Sequence, residues 1–311
     1  MNATGKFAGF TLGLVAVFAA ATGVGALVGP DIDEPAAHAA DDPGHGSAAD
    51  GTEGHGTEGH DTGGHPEAAD ATPKGLHSTQ DGYTLELASP IATTGTDVPV
   101  QFRVLDHTGT PVTRYADQHE KQLHLIAVRR DLTGYQHVHP TLDQSGTWSV
   151  SLDLARAGDY RVFADFMPAG GDALTLGTDL RVAGSYDPQS LPPTETTTTV
   201  DGYTVTLDGT LELGQTSTLT LAVGRDGSPV TDLQPYLGAY GHLVALRTAD
   251  LGYLHVHPEG HPGDGVTPAG PGIDFAVTAP SSGEYRLFLD FQHAGAVHTA
   301  EFTVSAHSEE E

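Results

Sequence analysis

The chain has no cysteine, which removes disulfides, thiolate metal centres and thiol nucleophiles together. Methionine is nearly absent as well. Met1 and Met167 are the two in 311 residues, so there is no thioether set to hold Cu(I). Basic residues are scarce, 13 Lys and Arg against 41 Asp and Glu, and the formal charge of −28 argues against nucleic acid or anionic lipid as a partner. Catalytic signatures are missing too: there is no Gly-x-Ser-x-Gly elbow, phosphate loop, dinucleotide fingerprint or His-Glu-x-x-His helix. The sequence therefore assigns no enzyme. Histidine is what it has in surplus, 18 residues, and imidazole suits Cu(II), Zn(II) and Ni(II).

Phe7 to Val28 is apolar and uncharged, long enough to span a hydrocarbon core. Lys6 precedes it and Asp31, Asp33 and Glu34 follow, so the positive-inside rule puts the remainder outside the cell. Ala37-His38-Ala39 resembles a small-x-small cleavage signal but lies well beyond the apolar run. The first 30 residues thus read as a signal anchor in the cell membrane, or as a signal peptide if cleavage occurs. No lipobox exists without cysteine.

Residues 31–77 form an acidic, histidine-rich linker, too poor in large apolar residues to offset the entropy of ordering. The composition predicts disorder. Gly-Thr-Glu-Gly-His stands at 51–55 and 56–60, then Asp-Thr-Gly-Gly-His at 61–65, so His38, His45, His55, His60 and His65 punctuate the segment. One reading is a low-affinity collector of divalent ions; the other is a solvated spacer in which repeat slippage copied a histidine.

An internal duplication organises everything that follows. Asp81-Gly82-Tyr83-Thr84 recurs as Asp201-Gly202-Tyr203-Thr204, and Pro111-Val112-Thr113 as Pro229-Val230-Thr231, from which the copies run without a gap to Pro140 and Pro258. Later, Gly158–Phe166 answers Gly283–Phe291. Repeat 1 is placed at 78–184, a Thr/Pro linker at 185–199, repeat 2 at 200–306 and an acidic tail at 307–311.

Alternating apolar runs bounded by Gly, Pro, Asp and Ser predict seven strands per copy. In repeat 1 they are Tyr83–Leu87, Val98–Leu105, Leu123–Arg129, Tyr135–His139, Trp148–Leu152, Tyr160–Phe166 and Thr178–Val182. In repeat 2 they are Tyr203–Leu207, Thr216–Val223, His242–Arg247, Tyr253–His257, Ile273–Val277, Tyr285–Phe291 and His298–Val304. This is the pattern of an all-β chain of two tandem immunoglobulin-like seven-stranded sandwiches. Glu259–Gly272 carries extra Gly and Pro residues and predicts a loop excursion.

If Leu123–Arg129 and Tyr135–His139 form a hairpin, His124 stands opposite His139, and His137 shares their face. Opposed Cβ atoms lie about 4.5–5.5 Å apart, within reach of one ion. The same pattern places His242, His255 and His257 in repeat 2. Three imidazoles with water or carboxylate make a candidate Cu(II) or Zn(II) site; the bland reading is a hydrogen-bonded cluster that fixes the hairpin. Repeat 2 is favoured, because His293 and His298 are additional there, as is His261. His107 and His119 read as surface residues. Asp165 and Asp290 read as strand polar positions or partners of Arg161 and Arg286, and alternatively as carboxylates that orient a ligating imidazole.

Gly241–Arg247 with Leu254–Pro258 and Tyr285–Phe291 resembles a group of bacterial envelope proteins whose sandwich domains are similar to the YtkA-like and CopC-like families, some linked to copper handling. The resemblance spans both repeats and implies metal handling at the envelope. The methionine-rich Cu(I) segments of copper-resistance carriers are absent, which points to Cu(II) or Zn(II). Three function classes follow: a membrane-tethered metal-binding protein, a structural or adhesive envelope module without metal, and a copper metalloenzyme.

Overall fold

The computed structural model describes residues 73–254 and 256–307, with His257 by its backbone alone. The apolar run Phe7–Val28, the histidine pentads and the last four residues lie outside the described residues. Among the described residues there are strands and no helix, hence none long and apolar enough to cross a membrane.

Both repeats begin at an Asp-Gly turn. Asp81 and Gly82 take φ of 51° and 80°, and Asp201 and Gly202 take 50° and 83°. Positive φ at both central residues matches the turn to strand twist and closes a two-residue hairpin, in which Gln80 pairs with Tyr83 and Val200 with Tyr203.

Each repeat is a pair of sheets. In repeat 1 the outer sheet runs Thr79–Gln80, Tyr83–Leu87, Gly95–Leu105, Thr147–Leu154, Thr141–Leu142. Its inner sheet runs Ile91–Thr93, Leu174–Ala183, Gly158–Pro168, Leu123–Arg129, Gln136–Val138, with Tyr115–Ala116 against Gly158–Pro168. In repeat 2 the outer sheet runs Thr197–Val200, Tyr203–Asp208, Thr216–Arg225, Gly272–Thr278, Val256–Pro258, with Ser228–Pro229 against Thr216–Arg225. The inner sheet runs Leu211–Glu212, Ala296–His307, Gly283–His293, Gly241–Arg247, Tyr253–Leu254. The strands expected from periodicity are present. Short edge pieces of two to four residues add to them, such as Thr79–Gln80 and Ile91–Thr93, because a pairing that brief leaves no alternation to read.

One expected strand differs. In repeat 1, Gln136–Val138 continues the hairpin with Leu123–Arg129. In repeat 2 that hairpin ends after Ala245 meets Leu254. The chain then crosses to the outer sheet, where Val256 pairs with Val277 and packs on the repeat-2 core. The expected single strand Tyr253–His257 is thus two pieces in two sheets, and His242 does not face His257 through a continuous ladder.

Outer strands alternate: Tyr203–Asp208 is buried and exposed by turns. Leu123–Arg129 is buried at every position. Leu123, Leu125 and Ala127 enter the repeat-1 core, while Ile126 and Val128 join Leu132 and Phe163 against Val244, Leu246, Leu251, Tyr253 and Phe288 of repeat 2. A sheet covered on both faces loses the period-two signal. Tyr135 stacks on Phe288, with ring centroids 4.0 Å apart and planes 5° from parallel. Tyr253 packs on Phe163 at 5.6 Å. Since Tyr135 answers Tyr253 and Phe163 answers Phe288, the two contacts exchange roles, as at a two-fold interface. Burying the eight aliphatic and phenyl side chains there contributes on the order of 10 kcal/mol before ordering costs.

The segment entering repeat 1 also ties the two together. Tyr253 N donates to Lys74 O at 2.9 Å, Gly75 N to Thr175 O at 3.0 Å, and Arg161 Nη2 to both Gly75 O and Leu76 O at 2.7 Å. A Cβ at Gly177 would stand 2.0 Å from Gly75 O, so glycine is what admits this strap.

A fragment spanning 198–308 removes repeat 1 from this face and exposes Val244, Leu246, Tyr253 and Phe288. We expect an all-β circular dichroism spectrum together with sedimentation as a self-associated species, two copies reproducing the exchange-related contacts. A monomer at micromolar concentration would contradict the account of the interface.

Candidate metal centre

The face that carries Ile126 and Val128 also carries His124, two positions earlier. In the hairpin Leu125 pairs with Val138 and Ile126 with His137, so the next rung brings His124 opposite His139. On the other side of the strand His124 is in register with Asp165. The matching row of repeat 2 sets His242 against Asp290. Apolar contacts fill the middle of the inter-repeat face, and these polar rows lie at one end of it.

Three imidazoles converge there. His137 Nε2 lies 3.0 Å from His124 Nδ1, and His139 Nε2 lies 3.2 Å from the same atom. Among the described residues these three form the group whose ligand atoms all fall within 4.8 Å of one another. Their remaining contacts decide the tautomers. His124 Nε2 is 2.9 Å from Gln118 O; a carbonyl only accepts, so Nε2 carries the proton and Nδ1 presents a lone pair. His137 Nδ1 is 2.8 Å from Asp290 Oδ2 of repeat 2, so Nδ1–H donates there and Nε2 is the nitrogen turned towards His124. Asp290 is 2 % exposed, and its Oδ1 accepts from Thr299 Oγ1 at 2.6 Å.

Repeat 2 supplies the far wall. His242 Nε2 donates to Tyr236 O at 2.9 Å, the position equivalent to Gln118, so the first histidine of this strand has the same tautomer in both repeats. The His119 ring packs edge-on against His242 with centroids 5.3 Å apart and against His124 at 6.1 Å. Tyr135 of repeat 1 has a buried hydroxyl near Asp290, and burial together with that carboxylate pushes its pKa well above 10.

Burial dominates the protonation of the cluster. It holds His124 down to about 3 and His139 and His242 down to about 4, and repulsion from neighbouring imidazoles adds to it. These three rings are neutral at pH 7, the state in which imidazole ligates a metal.

The remaining histidines fall elsewhere. His293 lies on the core side of its strand, as Phe291 does, while Asp290 faces repeat 1. Its Nδ1 bonds Tyr203 Oη at 2.8 Å and its Nε2 bonds Asp232 at 3.1 Å, so both nitrogens are engaged. His298 is in register with Phe291, packs on Tyr203 and bonds Asp201 Oδ2 at 2.8 Å. His255 lies outside the described residues, and for His257 only the backbone is described. The triad that the described geometry brings together is that of repeat 1. His119 joins it from an irregular segment with φ of 48°, and Asp290 joins it across the repeats. No periodicity signals either one. Arg161 and Arg286 pair with Asp179 and Glu301, not with Asp165 and Asp290; Asp165 accepts from Thr175, and Asp290 from Thr299 as well as His137.

No curated protein matches the chain in sequence. Among solved structures it is similar to the Escherichia coli adhesin FdeC (17 % identity, TM-score 0.24, 74 % of this chain and 65 % of that one). It is also similar to Yersinia pseudotuberculosis InvD (13 %, 0.25, 74 % and 58 %), and to invasin, a bacterial integrin-binding protein (15 %, 0.23, 73 % and 39 %). The chain spans less than two thirds of each of these. A family model, described as a domain of unknown function, DUF8832, matches it twice, over residues 78–184 and 198–308. Matched in both repeats and over most of its length, the chain belongs to the DUF8832 family.

Proposed function

We propose that the chain is an exported, membrane-tethered protein that binds Cu(II) or Zn(II) through His124, His137 and His139. One observation carries the reading. The single lone pair of His124 Nδ1 faces two imidazole nitrogens, at 3.0 and 3.2 Å, and one lone pair accepts one good hydrogen bond. A shared cation accounts for all three positions at once. Around a tetrahedral zinc with Zn–N of about 2.0–2.1 Å, neighbouring nitrogens stand about 3.3 Å apart. His124 and His137 also each commit their other nitrogen to a carbonyl or carboxylate, the support that holds ligating imidazoles in metal sites. Three protein ligands leave room for water or a carboxylate. The histidines of the tail that precedes repeat 1, His38, His45, His55, His60 and His65, add a weak collector of their own.

A second reading, a structural or adhesive envelope module without metal, is favoured by one feature of the same cluster. A proton on His137 Nε2, balanced by Asp290, satisfies His124 Nδ1 and makes His137–Asp290 a buried ion pair. The inter-repeat contact then serves to hold two sandwiches as one rigid body. The adhesins named above share this fold-level likeness, and at TM-scores of 0.23–0.25 they carry no further argument.

Two outcomes separate the readings. In the full chain with His38, His45, His55, His60 and His65 each replaced by Gln, Zn(II) or Cu(II) at a hundred times its dissociation constant should stabilise the protein by about 2.7 kcal/mol, a rise in Tm of about 5–10 °C. His137→Ala combined with His139→Ala should abolish that rise. An equal response in the double variant, or none in the parent, would count against the triad.

The second outcome concerns pH in the presence of a chelator. The folded pKa values of His124, His139 and His242, about 3 to 4, lie below the unfolded value of about 6.5. Between those limits the unfolded chain binds more protons, so the histidine contribution is complete above pH 6.5 and is lost as pH falls towards 4. Melting curves from pH 7 to 5 should show a steeper loss for the parent than for His139→Asn, and identical slopes would argue that the cluster is hydrated.

A further inference from the structure

We infer that this metal site is a lock between the repeats: Asp290 of repeat 2 is a positioning residue for a ligand of repeat 1, and metal loading and repeat docking are coupled. The inference rests on the metal-binding reading above and adds what controls that site.

The orientation of His137 depends on a contact with the other repeat. Rotation about its side-chain bonds would carry Nε2 away from His124 Nδ1, and the contact that opposes this is Nδ1–H to Asp290 Oδ2 at 2.8 Å. The acceptor is 153 positions away in sequence, on the strand Gly283–His293. Asp290 is itself fixed: it is in register with His242 on one side and with Thr299 on the other, and Thr299 Oγ1 donates to Oδ1 at 2.6 Å. It is 2 % exposed, so no bulk water substitutes for it. The equivalent carboxylate within repeat 1, Asp165, stands in register with His124 and accepts from Thr175 Oγ1 at 3.1 Å. His242, also from repeat 2, packs through His119 onto the open side of the triad.

Separation of the repeats would therefore take from the triad the carboxylate that orients His137 and the wall that excludes water. Each loss weakens the site. Linkage then runs both ways: whatever factor docking adds to metal affinity, metal adds to docking. The apolar contacts set the resting association, and the ion adds to it, so the stiffness of the two-repeat unit follows metal availability.

The test uses the full chain with the five tail histidines replaced by Gln and a protease site inserted between Thr194 and Glu195 in the exposed linker. Zn(II) alone is titrated in competition with a chromophoric chelator. Uncut parent protein should bind one zinc. Asp290→Ala should bind it 10–100-fold more weakly, and Asp290→Asn, which keeps an oxygen acceptor but loses the charge, should fall between them. After linker cleavage, zinc should tighten the association of the two halves by the same factor by which association tightens zinc binding. If Asp290→Ala fails to fold, Asp290→Asn and the cleaved parent still decide the matter. Parental zinc affinity in the Asp290 variants, or an association of the halves indifferent to zinc, would overturn the lock. A parent chain that binds no zinc would overturn the metal reading itself, and the two failures are distinguished by that first titration.

Discussion

The burial of both faces of the inner sheets is the constraint from which the other features follow. Ile126, Val128 and Phe163 of one repeat lie against Val244, Leu246 and Phe288 of the other, so strands that would be half wet in an isolated sandwich are dry on both sides. Polar groups in the same rows are then desolvated whatever their own preference. At one end of the interface those groups are His124, His137, His242 and Asp290. A carboxylate and several imidazoles in such a place cost free energy unless each finds a partner, and the hydrogen bonds to Gln118 O, Tyr236 O, Thr299 Oγ1 and between His137 and Asp290 are those partners.

Those partners have a chemical consequence. By committing one nitrogen of His124 and one of His137, they leave the other nitrogens facing each other. Two bare lone pairs at 3.0 Å repel unless a positive centre lies between them, either a proton or a metal ion. The proton makes the cluster a structural fastener, and the ion makes it a binding site. Both answers use the same geometry. Burial keeps His124 and His139 neutral at pH 7, which is the state both answers require of those two rings.

Much of this was legible in the residues, and the failures have physical causes. The duplication and the strand alternation exposed two all-β repeats, and the hairpin geometry already set His124 opposite His139. Four things are not legible. Leu123–Arg129 reads as a buried strand, but sequence does not say that its second face is covered by another copy of the same domain. His119 looked like a surface residue because it sits in an irregular turn, where no period reports direction. The duplication implies the same hairpin in repeat 2 as in repeat 1, yet Val256 leaves the inner sheet to pair with Val277. Asp290 is the sharpest case: a charged residue between Leu289 and Phe291 signals a polar position, but its partner, His137, lies in the other repeat.

The central claim is that a single divalent ion is shared by three imidazoles of repeat 1. X-ray absorption fine structure at the zinc edge, on protein with the tail histidines replaced and one zinc bound, addresses it directly. The account predicts three imidazole nitrogens at about 2.0–2.1 Å, with one oxygen ligand completing the shell, and loss of two of those nitrogens in the variant lacking His137 and His139. A shell of oxygens alone, or a nitrogen count unchanged in that variant, would contradict it.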